Sequence, residues 1–167
     1  MSIEKFLIDA NSFIEPYNRY YPFDLAEKFW EQLKTHIENG SILLLDKVKD
    51  ELSQGSDSLS GWICNINCID HRDIAIIRNY GKVLQHIQNN NSYKETALEN
   101  WSQEQIADPW LIATAITYNY TIITFEQSQN IRPGNLYKNA KIPDIAEDFN
   151  VKSENLFYLM RTLNIKL

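Results

Sequence analysis

Apolar residues along the chain fall into two kinds of pattern, short continuous runs and longer stretches with helical spacing. Largely apolar runs occupy residues 5–8, 42–45 and 121–124. Runs of this length are typical of strands buried on both faces inside a parallel sheet. We therefore predict three buried strands, the first ending at Asp9 and the third ending before Glu126.

Apolar residues at helical spacing predict the remaining elements. One helix is expected to begin at Asp24, with Glu27 completing a box-like cap, and to end near residues 39–40. Asp108, as the cap, and Pro109, in the first turn, form a strong helix start. Four more segments also indicate helices, at residues 46–53, 59–66, 70–88 and 93–101.

Two further elements are predicted after the third strand. Residues 141–143 indicate a last short strand, and Ser153 is expected to cap a closing helix. Short apolar strands separated by helical stretches are typical of an α/β domain. We predict a three-layer α/β/α fold with a central, mostly parallel sheet, formed by residues 1–167 as one domain.

Composition indicates where in the cell the protein is expected and which kinds of nucleic-acid binding are disfavoured. No apolar run approaches the roughly 20 residues that span a bilayer, and no secretory signal is recognisable. Cys64 and Cys68 are the two cysteines, too few for a disulfide framework, so we expect a cytoplasmic protein. The net charge of −6 argues against tight, non-specific nucleic-acid binding, but it allows a nuclease whose acidic pocket is neutralised by metal ions.

Acidic residues occupy the positions where a parallel sheet places its ligands. Asp9 and Glu126 follow predicted strands, Asp108 starts a helix, and Glu51 lies on the helix after the second strand. In open parallel sheets, ligands bind beyond the carboxyl ends of the strands. Carboxylates gathered there would repel one another unless a cation neutralised them, and hard oxygen ligands favour Mg²⁺ or Mn²⁺. Such a site favours phosphodiester hydrolysis.

Each acid also has a simpler explanation. Asp9 could form a turn, and Asp108 could serve only as a helix cap. Glu51, taken alone, is more often a solvated residue, and Asp46 and Asp50 are close rivals on the same helix. The order and spacing of the four acids, more than any one of them, indicate a shared site.

The chain resembles the PIN domain, the fold of toxin ribonucleases in type II toxin–antitoxin pairs, such as the VapC type, and of several RNA-processing nucleases. Residues 6–12 are similar to the family's strand followed by D-x-[ST/N]. Residues 48–52 resemble its V-x-x-E-L, residues 107–113 its D-x-x-[IL]-[AL]-A, and residues 122–126 its strand followed by T-x-D. The departure is Glu126, where the common residue is aspartate.

The resemblance implies a metal-dependent endoribonuclease that uses Mg²⁺ or Mn²⁺. By the family's motifs, the catalytic metal ligands would be Asp9, Glu51, Asp108 and Glu126. Asn11 and Thr124 would orient those ligands. It also implies an RNA substrate, an antitoxin partner and, as is common in the family, a homodimer.

Other interpretations remain open at this point. A haloacid-dehalogenase-like phosphatase would need a second aspartate at the position of Asn11, and a binding module could keep the fold without catalysis. Phosphate could be contacted by Arg19, Lys47 or Arg132, and bases could stack on Tyr17, Tyr20 or Tyr21. Cys64, Cys68 and His71 lie close together in sequence but supply fewer than the four ligands of a structural zinc site.

Overall fold

A parallel sheet of four strands forms the centre of the protein in a computed structural model, which describes residues 3–55 and 57–167. The strands are β1 (Phe6–Ile8), β2 (Ile42–Leu43), β3 (Thr121–Ile123) and β4 (Ser153–Glu154). They lie in the order β2-β1-β3-β4, and each neighbouring pair is parallel. The predicted α/β class with a central parallel sheet is therefore confirmed.

Helices flank this sheet and connect its strands. They are α1 (Asn11–Glu15), α2 (Glu27–Glu38), α3 (Asp46–Ser53), α4 (Ser58–Ile63), α5 (Ile74–Asn89), α6 (Glu95–Trp101), α7 (Asp108–Tyr118), α8 (Ile142–Asp148) and α9 (Leu156–Thr162). A π-helical turn, Pro16–Tyr20, extends α1. None of the helices that the structure describes is both long enough and apolar enough to cross a membrane.

The core lies between the sheet and its helices. Every residue of β1 and β3 is buried, as expected for strands covered on both faces. α7 is buried along most of its length and packs against α5, α8 and β3. This explains why α7 is apolar on nearly all sides and does not show one apolar stripe.

Two predictions after the third strand are wrong. Residues 141–143 do not form a strand, because Ile142 begins α8 and Pro143 occupies its first turn, where proline is well tolerated. Ser153 does not cap the closing helix either. It lies in β4, and the side chain of Asn155 caps α9 by accepting a hydrogen bond from the Tyr158 backbone N–H.

The start of α2 also differs from the prediction. The helix begins at Glu27, and Leu25, which lies between the predicted and the observed start, is 80% exposed. Residues 11–20, in which no helix was expected, form α1 and the π-helical turn. The remaining helices lie within a few residues of their predicted bounds, and α3 and α7 match them.

The order of the strands brings two chain segments to one edge of the sheet. β1 pairs with β2 on one side and with β3 on the other. The connection after β1 therefore leads to one side of this strand, and a later connection brings the chain to its other side. Ligand sites in open parallel sheets lie where the strand order reverses in this way. Asp9 follows β1 at this point, and residues 124–126 follow β3 beside it.

α7 enters β3 through a left-handed residue. Asn119 ends the helix with φ 58°, and the N–H of Tyr120 donates to the carbonyl of Ala115 at 3.2 Å. β3 begins two residues after Asn119. Left-handed backbone is unfavourable for residues other than glycine, and asparagine tolerates it better than most.

We expect Asn119→Ala to lower the free energy of unfolding by about 1 kcal/mol, because alanine is disfavoured at positive φ. Asn119→Gly should preserve or slightly raise it, because glycine adopts this conformation readily. Urea denaturation of both variants and the wild type measures the difference. An equal loss in both variants would show that the Asn119 side chain, and not its backbone, stabilises the turn.

Candidate active site

The four acids singled out by the sequence meet in one cavity. Asp9, Glu51, Asp108 and Glu126 all line a cavity of about 360 Å³. Its other lining residues are Asn11, Gln54, Gln105, Ile106 and Ala107. β1 delivers Asp9, α3 delivers Glu51, α7 delivers Asp108, and the loop after β3 delivers Glu126.

Asp9 is the most constrained of the four acids. Its side chain is buried, and its backbone N–H donates to the Ile123 carbonyl at 2.9 Å, which continues the pairing of β1 with β3. The Thr124 hydroxyl donates to Asp9 Oδ2 at 3.0 Å. The same hydroxyl accepts a hydrogen bond from the Glu126 backbone N–H at 3.1 Å. Thr124 therefore links the first and last acids of the cavity.

Asp108 and Glu51 are held by their helices and not by hydrogen bonds to their carboxylates. Asp108 was predicted to be the N-cap of α7, but it is the first residue of the helix, and Ala107 occupies the cap position. Glu51 lies in the second turn of α3. Within the part of the chain that the structure describes, neither carboxylate accepts a hydrogen bond. Their oxygens are therefore free to bind a ligand that enters the cavity.

Burial and mutual repulsion raise the pKa values of these carboxyls. Desolvation raises the pKa of Asp9 to about 7, with smaller contributions from the charges of Glu126 and Glu51. Desolvation also raises the pKa of Asp108 to about 8, assisted by the charges of Asp9, Glu126 and Glu51. The pKa of Glu51 is also raised, by partial desolvation alone, although the residue as a whole is exposed. A pocket that disfavours its own ionised carboxylates is one that a cation would stabilise.

Glu126 differs from the other three because both of its oxygens have partners. The Lys141 ammonium donates to Oε1 at 3.1 Å, and the backbone N–H of Ile142 donates to Oε2 at 2.7 Å. Sequence reasoning missed Lys141, because it assigned this segment to a strand. The proximity of Lys141 depends on α8, whose start beside the loop after β3 has no local sequence signal.

The two residues expected to orient the ligands behave differently. Thr124 contacts the Asp9 carboxylate directly. Asn11 lines the cavity but, among the described residues, makes no side-chain hydrogen bond to Asp9. The hydroxyl after β3, and not the amide after β1, therefore holds the Asp9 carboxylate.

The candidate phosphate contacts lie away from these acids or have partners of their own. Arg19 pairs with Glu15 at 3.0 Å. Lys47 donates to the Glu104 carbonyl at 2.9 Å, and Arg132 is exposed on the loop that follows β3. None of these three cations lines the acidic cavity.

The tyrosines proposed for base stacking serve mostly in packing. Tyr17 packs edge-on against Phe23 and Trp30, and Tyr21 packs against Phe29. Tyr20 is 59% exposed and is therefore the member of the group that remains open to solvent.

A second group of potential ligands lies at the start of α3. Asp46, Asp70 and His71 present ligand atoms within 4.8 Å of one another, a geometry that could hold a metal ion. Internal hydrogen bonds already account for this arrangement. Asp46 Oδ2 lies 2.6 Å from His71 Nδ1, and Asp70 pairs with Arg72 at 3.0 Å. Asp46, a rival to Glu51 in the sequence, therefore belongs to this group, and Asp50 is exposed on α3.

The ligand atoms of the cavity suit a hard divalent cation. All four candidates are carboxylates, the ligand type that Mg²⁺ and Mn²⁺ prefer. No cysteine or histidine lines the described cavity to favour a softer metal. Within the described residues the carboxylates of Asp108 and Glu51 accept no hydrogen bond, and desolvation disfavours the ionised forms of Asp9 and Asp108, which a bound cation would stabilise.

Comparison with known proteins identifies the family. Residues 6–167 match the model of a domain of unknown function, DUF4411. The chain belongs to the DUF4411 family. No curated protein matches this DUF4411 chain, so the family assignment carries no activity with it.

The fold of the DUF4411 chain is similar to that of a solved protein. It superposes on a chain in the crystal structure of VapBC2 from Rickettsia felis bound to a DNA fragment from their promoter, with a TM-score of 0.51 and 14% sequence identity. The match covers 90% of the DUF4411 chain and 97% of the other. At this identity the likeness concerns the fold, and it supports the PIN-like architecture that the motifs led us to expect.

The raised carboxyl pKa values predict how the stability of the DUF4411 chain depends on pH. With its pKa raised from 3.8 to about 8, Asp108 binds a proton more tightly in the folded than in the unfolded state. Its contribution to stability is therefore present at low pH and is lost as pH rises from about 4 to about 8. In EDTA at pH 8, Asp108→Asn should stabilise the protein by on the order of 2 kcal/mol, or roughly 4–8 °C.

Thermal denaturation of the wild type and Asp108→Asn at pH 4.5 and pH 8 measures this effect. The gain should be small at pH 4.5, where the carboxyl is protonated. Asp50→Asn, which alters an exposed acid on α3, serves as the control and should show little change at either pH. A stabilisation by Asp108→Asn that is the same at both pH values would contradict the burial of this charge.

Proposed function

We propose that this protein is a metal-dependent endoribonuclease of the PIN type, with Asp9, Glu51, Asp108 and Glu126 as its acidic centre. The observation that carries the proposal is the convergence of these four carboxylates in one cavity at the edge of the sheet. Carboxylates are brought together against their own repulsion at sites that bind cations. Mg²⁺ or Mn²⁺ is the cofactor that this set of ligands would hold.

Each of the four acids has a separate role in this proposal. Asp9, fixed by the Thr124 hydroxyl, presents a carboxylate oxygen in one orientation. Asp108 and Glu51, whose oxygens are free, complete the set of ligands from two different helices. Glu126 contributes negative charge from the loop after β3. A bound divalent cation would supply activation of a water molecule and stabilisation of the charge that develops on the phosphate.

No nucleophilic side chain is required for this reaction. Water attacks phosphorus, and the chain's own groups position the reactants and neutralise charge. Gln54 and Gln105 line the same cavity and are exposed. Their amide groups supply neutral hydrogen-bond donors at an otherwise acidic surface, where a phosphate oxygen or the attacking water would have to approach.

The proposal also includes a biological role, that of a toxin. The likeness to a chain of VapBC2, together with the motif resemblance, supports assignment as the toxin of a type II toxin–antitoxin pair. Such a toxin would have an antitoxin partner that covers the acidic cavity, and it could form a homodimer. A cytoplasmic location belongs to the same proposal and is supported by the free thiols of Cys64 and Cys68.

Cleavage of labelled single-stranded RNA in Mn²⁺ or Mg²⁺ tests the enzymatic proposal. We expect cleavage that EDTA abolishes. Asp9→Asn and Asp108→Asn should each reduce the rate by roughly 100-fold or more, because each removes a charge that is needed in the transition state. Asp50→Asn, which changes an exposed acid next to Glu51, should cut at the wild-type rate.

The other two interpretations give different results in the same preparation. Hydrolysis of small phosphate esters without RNA cleavage would identify a phosphatase. RNA binding without any hydrolysis would identify a binding module, a role that the engagement of Glu126 by Lys141 would allow. Loss of cleavage in Asp50→Asn equal to that in Asp9→Asn would point to a contaminating nuclease or a different site.

The toxin role predicts an effect in cells. Induced expression of the wild-type chain should slow bacterial growth, and Asp108→Asn should not, since it lacks a ligand of the proposed centre. Co-expression of the protein encoded by the adjacent gene should restore growth. Normal growth in the presence of abundant, folded wild-type protein would argue against a toxin, although it would leave the nuclease proposal standing.

A further inference from the structure

One positive charge lies beside the acidic cavity, and it is bound to the acid that departs from the PIN pattern. We propose that Lys141 binds a backbone phosphate of the RNA substrate next to the metal ligands, and that Glu126 holds the Lys141 ammonium in position for this contact. The inference rests on the proposed nuclease function and assigns a substrate contact within it.

The geometry of Glu126 is the first observation. Its carboxylate bridges the Lys141 ammonium, at 3.1 Å, and the Ile142 backbone N–H, at 2.7 Å. Glu126 is therefore tied to the segment that starts α8, whereas no donor among residues 3–55 and 57–167 hydrogen-bonds to the carboxylate of Asp108 or Glu51. An aspartate at position 126 would end about one carbon–carbon bond, or roughly 1.5 Å, short of these partners. The extra methylene thus gives Glu126 the reach to hold Lys141.

The position of Lys141 is the second observation. Lys141 lines a cavity of about 380 Å³ that shares Asn11 and Glu126 with the acidic cavity. The Lys141 ammonium lies 3.1 Å from Glu126 Oε1, and Glu126 lines the acidic cavity as well. Lys141 therefore lies at the side of the acidic cavity, where it can contact a phosphate that approaches the metal ligands.

The third observation is the donor capacity of Lys141. An ammonium carries three N–H donors, and the hydrogen bond to Glu126 uses one of them. The Lys141 side chain is 38% exposed, so its remaining donors are accessible from solvent. A phosphate oxygen can join this arrangement without breaking the pair with Glu126.

Charge explains why a nuclease of this composition needs such a contact. The chain carries a net charge of −6, and its cavity is lined by four acids, so a phosphodiester approaching it is repelled. Neutralising phosphate charge supplies most of the affinity of proteins for single-stranded nucleic acid. Of the three other cations considered, Lys47 and Arg19 are engaged with Glu104 and Glu15. Arg132 is exposed on the loop after β3 and does not line the acidic cavity.

Binding of fluorescein-labelled single-stranded RNA tests the proposal without relying on cleavage. Fluorescence anisotropy would be measured with Ca²⁺ in place of Mg²⁺ over a series of KCl concentrations, with gel analysis to confirm that the RNA stays intact. Lys141→Met keeps the length of the side chain but removes its charge. We expect about 3- to 10-fold weaker binding near 100 mM salt and a salt dependence shallower by about 0.7.

Two further variants separate a charge contact from a structural effect. Lys141→Arg should preserve the wild-type salt dependence, because it restores the positive charge. Lys138→Ala, which removes an exposed lysine three positions away, should leave both affinity and salt dependence unchanged. Melting temperatures of all variants within about 2 °C of one another exclude unfolding as the cause. Equal losses in Lys138→Ala and Lys141→Met would overturn the assignment.

Glu126→Asp tests the positioning role while conserving charge. If Glu126 holds Lys141, this variant should weaken RNA binding by about 2- to 5-fold, and the double variant with Lys141→Met should lose no more than Lys141→Met alone. Additive losses, or tighter binding by Glu126→Asp, would overturn the positioning role. Wild-type binding with a salt dependence that Lys141→Met does not alter overturns the phosphate contact but not the nuclease. If the wild-type protein neither binds nor cuts RNA, both proposals are wrong.

Discussion

Desolvation of carboxyl groups at one edge of a parallel sheet, with repulsion from neighbouring acids added to it, is the constraint on which the rest of this structure depends. Asp9 and Asp108 are buried enough for their pKa values to approach or exceed neutrality. A fold that gathers such groups gives up stability at neutral pH unless positive charge enters the cavity. The chain supplies only part of that charge, through Lys141. A divalent cation is the natural complement, which links the stability of the fold to its proposed chemistry.

The topology is what brings these charges together. The order β2-β1-β3 places the ends of β1 and β3 side by side, so Asp9 and Thr124 meet across a gap of more than a hundred residues. α3 and α7 then bring Glu51 and Asp108 to the cavity that Asp9 lines. Glu126 stands where the PIN motif that the chain resembles has aspartate, and its longer side chain reaches both Lys141 and the first residue of α8. The glutamate that departs from the motif thus makes a contact, with Lys141, that the motif does not include.

Elements with a strong local pattern were predicted well from the sequence. The apolar runs of β1 and β3 and the Asp108-Pro109 start of α7 each carry their own signal. Elements whose form depends on distant partners were predicted poorly. β4 consists of Ser153 and Glu154, which show no apolar run and pair with β3 only because the fold presents its edge. Ile142 and Pro143 suggested a strand, although proline in the first turn makes α8 equally compatible with the local sequence.

The sequence by itself determined the α/β class, the buried strands and the identity and order of the four acids, because these follow from local hydrophobic spacing and from residue type. The tertiary structure alone decided which side chains touch. It placed Glu51 in the cavity with Asp9 and Asp108, whereas Asp46 pairs with His71. It placed the Thr124 hydroxyl, and not the Asn11 amide, within hydrogen-bonding distance of the Asp9 carboxylate. It also placed Lys141 beside the acidic cavity. Such contacts join residues far apart in the chain, so they depend on how helices pack on the sheet, and no periodicity in the sequence records that packing.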